Sequence, residues 1–205
     1  PVSLFLPIVS LRYEQVPSIF GVHFYGQLND QNGLSKGVDV GARWFRHLIN
    51  WSRVEPENTT PEHYDWTTID ESVANAYQNG LDPIITIGRQ PAWAAEYPMG
   101  PLYNPDDLLE FVGAMVERYD GDGIDDAPGS PRAIYYELYN EPDNTVEANA
   151  RWYGLGLWGY KGYDYADLMQ ALLPTIRAAN PQARLVMGGL AMEQNGDQFD
   201  LGFLD

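Results

Sequence analysis

The chain has no cysteine. Disulfides, thiolate nucleophiles and thiolate metal sites are therefore excluded. Basic residues are few: 12 Lys and Arg stand against 29 Asp and Glu, a formal net charge of −17. So acidic a surface opposes nucleic acid, which is bound through Lys and Arg on phosphate, and opposes anionic membranes as well. It suits a neutral substrate, although most of the charge need do no more than keep the protein soluble. No apolar run approaches the ~18 residues of a membrane-spanning helix. No GxGxxG or Walker pattern follows a strand, so dinucleotide and P-loop folds gain no support. The only lysines, Lys36 and Lys161, fall away from strand ends, which disfavours a Schiff-base barrel enzyme such as an aldolase.

What the sequence does have is a repeating alternation of strand and helix. SIFGVHFYG (18–26) is a short β-branched and aromatic run. A glycine-interrupted helical stretch leads to a strand near 42–49. Residues 67–80 read as a helix, with Thr68 and Glu71 at capping-box spacing and Asn79-Gly80 as its stop. Ile84 to Ile87 form a continuous apolar run, expected of a strand buried on both faces. Asn104-Pro105 starts a helix over 105–119. AIYYELYN (133–140) is a fourth strand. A helix near 164–180 is expected to bend at Pro174. ARLVMGGLA (183–191) is a fifth strand, and FDLGFLD starts a further helix. Alternating strands and helices predict an α/β protein with a parallel sheet. A (β/α)8 barrel takes roughly 250 residues, so the fold class expected is a partial TIM (β/α)8 barrel of about five βα units. The expected organisation is a leader or spacer over 1–16, then the N-terminal part of a catalytic domain over 17–205. The apolar start reads equally as the tail of a secretion signal or as a strap on the body. The expected location is extracellular or cell-surface, with the cytoplasm as the alternative.

The chemistry concentrates in Tyr135-Tyr136-Glu137-Leu138-Tyr139-Asn140-Glu141-Pro142-Asp143. Barrel active sites form at the C-terminal ends of strands, and Glu141 falls at such an end. Pro142 is expected to hold Glu141 extended. Asn140 can donate to and accept from a hydroxyl. Cleavage of a glycosidic bond needs a carboxylic acid to protonate the leaving oxygen and a second carboxylate across the bond. Glu137 shares the strand parity of Glu141 and reads as the partner of an arginine. Asp120-Gly121-Asp122-Gly123-Ile124-Asp125-Asp126 reads as a solvated acidic loop. Calcium is a lesser alternative there, because the EF-hand spacing is absent.

A strand ending in Glu-x-x-Asn-Glu-Pro resembles the fourth strand of clan A glycoside hydrolases, the retaining (β/α)8 enzymes, with families 5 and 39 nearest. Two further blocks agree. Arg46 to Pro56 with Tyr64-Asp65-Trp66 is similar to their second strand and its loop. Gly80 to Ile85 with Pro91-Ala92-Trp93-Ala94 is similar to their third. The resemblance runs from about Ile19 to the end.

It implies Glu141 as general acid and then base, and Asn140 holding the 2-hydroxyl of the sugar being cleaved. Arg46 would bond to and tune the catalytic carboxylates. His23, Trp51, Arg89 and Trp93 would contact substrate near the ends of strands one to three. Tyr139 would line the pocket or the core. The family's nucleophile, a Glu ending strand seven, is matched by no residue of this sequence, and Glu193 reads as a solvated loop carboxylate. The resemblance implies a saccharide or glycoside substrate and no cofactor or metal, and the 205 residues alone are expected to be inactive. The alternative is a carbohydrate-binding barrel without catalysis.

Overall fold

The computed structural model describes residues 18–24, 26–153, 156–191 and 202–204. The proposed leader over 1–16, Glu193 and most of the final expected helix lie outside them.

Five strands form one sheet: β1 (Gly21–His23), β2 (Trp44–Asn50), β3 (Asp82–Gly88), β4 (Tyr135–Leu138) and β5 (Arg184–Met187). They run in sequence order and every pair is parallel. The helices between them are α1 (Leu34–Asp39), α2 (Trp51–Val54), α3 (Thr67–Gln78), α4 (Pro105–Arg118), α5 (Glu147–Tyr153) and α6 (Gly162–Ala179). This is the expected architecture, five consecutive units of a (β/α) barrel. Among the described residues no helix is long and apolar enough to cross a membrane.

Strand alternation divides the sheet into two faces. Ile49, Ile85, Ile87, Tyr136 and Leu138 point to the helices and pack with Phe111, Val112, Met115 and Val116 of α4. Phe45 joins a smaller cluster with Leu28, Leu34, Ala76 and Leu81. The other face carries Trp44, Arg46, Thr86, Tyr135 and Glu137. There Trp44 and Tyr135 meet edge to face at 5.2 Å. Arg118 and Tyr119 both bond to Asp70, tying the end of α4 to α3.

Three local expectations change. The capping box of α3 does not form. Asp65 accepts from the Thr67 N–H instead, and Glu71 is engaged by the side chain of Gln27. The helix α6 continues through Pro174 for 18 residues. The carbonyl that proline frees, on Gln170, lies on an exposed stretch open to solvent. The strand β4 is shorter than 133–140, because Tyr139 takes a left-handed conformation, φ 61°, and ends the ladder.

Candidate active site

Parallel pairing brings every strand's C-terminal end to one rim. Arg46, the third residue of β2, reaches toward it with its side chain. Its Nε donates to Glu137 Oε2 at 2.7 Å and its Nη2 to Asn140 Oδ1 at 2.9 Å. Its Nη1 lies 3.4 Å from His23 Nδ1. Arginine has no acceptor, so these contacts fix the groups around it. The Asn140 amide must turn its oxygen to Arg46, which leaves Nδ2 to donate elsewhere. His23 must present a lone pair at Nδ1 and carry its proton on Nε2. Burial holds the His23 pKa below its ordinary value. The Arg46 guanidinium adds to that, and Glu137 opposes it.

The Glu137 carboxylate also accepts from Thr86 Oγ1 and, at 3.3 Å, from the Gly189 N–H. Its side chain is 9% exposed and that of Arg46 27%. This pair is therefore largely shielded from the screening that makes surface ion pairs weak. Glu137 is the arginine partner expected of it. Thr86 and Gly189 were not anticipated. The signal for Thr86 was available only with the register, which sets it opposite Glu137.

Glu141 stands half-buried three residues beyond β4. It is not extended: its φ is 49°, so the expected effect of Pro142 is overturned. Backbone bonds hold the segment in its place. The Glu141 N–H donates to Gly189 O at 2.9 Å, the Gly156 N–H to Asn140 O at 2.7 Å and the Trp158 N–H to Pro142 O at 3.0 Å. Tyr139 at 61°, Glu141 at 49° and Arg89 at 55°, all past strand ends, are left-handed non-glycine residues, a form of strain that gathers at functional sites. Neighbouring backbone crowds in from both sides. A Cβ at Gly156 would fall 2.4 Å from Pro142 Cα, and one at Gly188 would fall 2.6 Å from Leu138 O.

Not every expected contact reaches the rim. Trp51 is fully buried in the helix layer, stacked on Phe111 at 5.0 Å, with Nε1 donating to Glu55 at 2.7 Å. Trp51 follows β2 directly and keeps the parity of the helix-facing Ile49, so it falls on the helix side. Trp93 packs edge-on against Trp51 at 5.5 Å and belongs to that same wall, though it is partly exposed. Tyr139 is also fully buried. The turn at φ 61° sends its ring away from the Arg46 face, onto Trp158 at 5.9 Å, and its hydroxyl accepts from Gln90 at 3.1 Å. Burial raises its pKa well above the ordinary value. Arg89 is partly exposed at the rim, and its carbonyl accepts from the Ser52 N–H. Arg46 thus gathers His23, Glu137 and Asn140, with Glu141 next in the chain, whereas Trp51 and Tyr139 are core. In the acidic loop, Asp120, Asp122 and Asp126 accept backbone N–H groups from residues 121–124.

A model of the Cellulase family (glycosyl hydrolase family 5) matches residues 11–201. No curated protein sequence matches the chain. Among solved structures, a glucosidase from Croceicoccus marinus is similar at 16% identity and TM-score 0.63, over 90% of this chain and 40% of its own. A family 39 glycoside hydrolase from Bacteroides cellulosilyticus WH2 is similar at 22% identity and TM-score 0.55, over 82% of this chain and 31% of its own. Endo-glycoceramidase II from Rhodococcus sp. is similar at 17% identity and TM-score 0.54, over 81% of this chain and 45% of its own. At these identities the likeness is one of fold, and the chain spans less than half the length of each of the three.

Proposed function

This chain belongs to the Cellulase family, glycosyl hydrolase family 5, and from that premise we propose that the protein hydrolyses O-glycosidic bonds by retaining double displacement. Glu141 is the acid that protonates the leaving oxygen and then the base that activates water. Asn140 donates through Nδ2 to a hydroxyl of the sugar being cleaved. Arg46 and Glu137 are positioning residues that fix the Asn140 amide. The second carboxylate comes from a strand beyond the five described, and the substrate is a neutral saccharide or glycoside met at the cell surface or outside the cell.

The observation that carries this reading is the contact of Arg46 with both Glu137 and Asn140 at the C-terminal rim, with Glu141 next in the chain. The fixed arginine and amide are pre-organised, so little reorganisation is needed as charge develops.

The test is hydrolysis of an aryl β-glucoside and of cello-oligosaccharides by the whole protein, wild type against Glu141→Gln. Turnover is expected to fall by about 10²–10⁴-fold with substrate binding retained. Near-normal turnover in a folded variant refutes the assignment. A wild type that binds saccharide and cleaves none favours the non-catalytic barrel instead.

A further inference from the structure

The ladder between β4 and β5 is finished by a side chain. Its register sets Leu138 opposite Met187, and its first bond runs from the Arg184 N–H to Ile134 O at 2.6 Å. Successive bonds of a parallel ladder lie two residues further along both strands. By that count the Gly188 N–H belongs on Leu138 O. It goes instead to the Tyr165 hydroxyl at 3.0 Å, and that hydroxyl donates to Leu138 O at 2.8 Å. One phenolic oxygen is thus spliced into the last rung.

Tyr165 is well fixed for this. It is the fourth residue of α6 and is buried, with its ring edge-on to Trp158 at 5.8 Å and against Phe203 at 5.4 Å. Burial raises its pKa, so the hydroxyl keeps the proton it donates. Past the wedge, residues 188–191 are stitched to the segment that carries Glu141. The Glu141 N–H donates to Gly189 O, and the Ala191 N–H donates to Oδ1 of the fully buried Asp143 at 3.1 Å. Glu141 therefore lies between two side-chain spacers, Tyr165 at Leu138 and Asp143 at Ala191.

We propose that Tyr165 and Asp143 are positioning residues for Glu141, which hold residues 188–191 at a set distance from 138–143 and so fix how far its carboxyl reaches toward the leaving oxygen. Neither touches substrate, and the proposal rests on the reading of Glu141 as the general acid. Proton donation tolerates little error in distance, since a displacement of about 1 Å can cost about 10²-fold. Without the Tyr165 hydroxyl the Gly188 N–H and Leu138 O can meet directly. Both groups then stay paired, so little stability is lost, but 188–191 is drawn toward β4 and Glu141 moves with it.

The test compares kcat/KM of the whole protein on phenyl β-cellobioside, whose leaving oxygen needs a proton, and on 2,4-dinitrophenyl β-cellobioside, whose leaving oxygen does not. Tyr165→Phe should lose about tenfold to a hundredfold on the first and stay within about threefold on the second. Its urea midpoint should remain near that of the wild type. Asp143→Ala should show the same split, and Asp143→Asn, which keeps an oxygen for the Ala191 N–H, should restore the phenyl rate. Equal losses on the two substrates would make these residues merely structural and overturn the proposal, and so would no loss at all. If one of the two sites does not tolerate substitution, the other decides. Glu141→Gln tests the underlying reading, because it should show the split more steeply. A split there with none in Tyr165→Phe or Asp143→Ala overturns the proposal alone. A flat loss in Glu141→Gln, or a wild type that cleaves neither cellobioside, overturns the acid assignment and the proposal together.

Discussion

Acidification should destabilise this protein through one buried imidazole. His47 lies on the helix-facing side of β2, 6% exposed, with its ring stacked on Phe45 at 5.3 Å. Burial, reinforced by the nearby His23, pushes its pKa down to about 4. In the unfolded chain the same group titrates at about 6.5. Between those values the unfolded state takes up a proton that the folded state refuses. Stability is therefore complete above pH 6.5, falls as pH drops from there toward 4, and loses nothing more from this group below 4. Integrating the difference from pH 7 to pH 5 gives about 2 kcal/mol. With a urea slope of about 2 kcal/mol per molar, the midpoint moves down by about 1 M. The assay is urea unfolding at pH 7 and pH 5 for wild type and His47→Gln. The variant, which cannot titrate there, should show a midpoint shift smaller by about 1 M. Parallel falls in the two proteins would refute the reasoning.

Other perturbations follow the same logic. Arg46→Met strands the Glu137 carboxylate in a shielded site. The arginine is a quarter exposed, so the loss should fall below that of a fully buried broken pair, at about 2 kcal/mol by urea unfolding; no measurable loss would mean the pair is solvated. Glu141→Gly should be more stable than Glu141→Ala by about 1 kcal/mol, since only glycine sits easily at φ 49°. Equal stability would show that the segment relaxes. Trp51→Ala should cost about 3–5 kcal/mol, as for a large core ring. If it folds normally and only substrate affinity falls, Trp51 belongs to the mouth after all.

The alternating runs were enough to read the five parallel strands, because Ile84 to Ile87 and Tyr135 to Leu138 carry the apolar continuity of strands covered on a face. That Glu137 would take an arginine partner was legible from its parity inside the strand, whereas that the arginine is Arg46 came only through the resemblance of its strand. The core position of Trp51 was legible in principle, since it has the parity of the helix-facing Ile49. The facing of Tyr139 was not, because parity counts hold only while the chain stays extended and Tyr139 turns at φ 61°. Two glutamates read by the same parity rule also parted there, with Glu137 inside the ladder and Glu141 past the turn. The helix α5 offered no comparable apolar stripe, so nothing in its spacing announced it.

The two glycines that pack against the segment from Leu138 to Pro142 bear on how a saturation mutagenesis map of this protein should be read. Gly156 and Gly188 contribute no side-chain atom to proton transfer, yet any larger residue would collide with backbone at Pro142 or Leu138. Such a map would show both columns intolerant of every larger residue. A variant classifier trained on distance to the reacting bond would pass them as harmless, whereas one scoring the room around each Cβ would flag them.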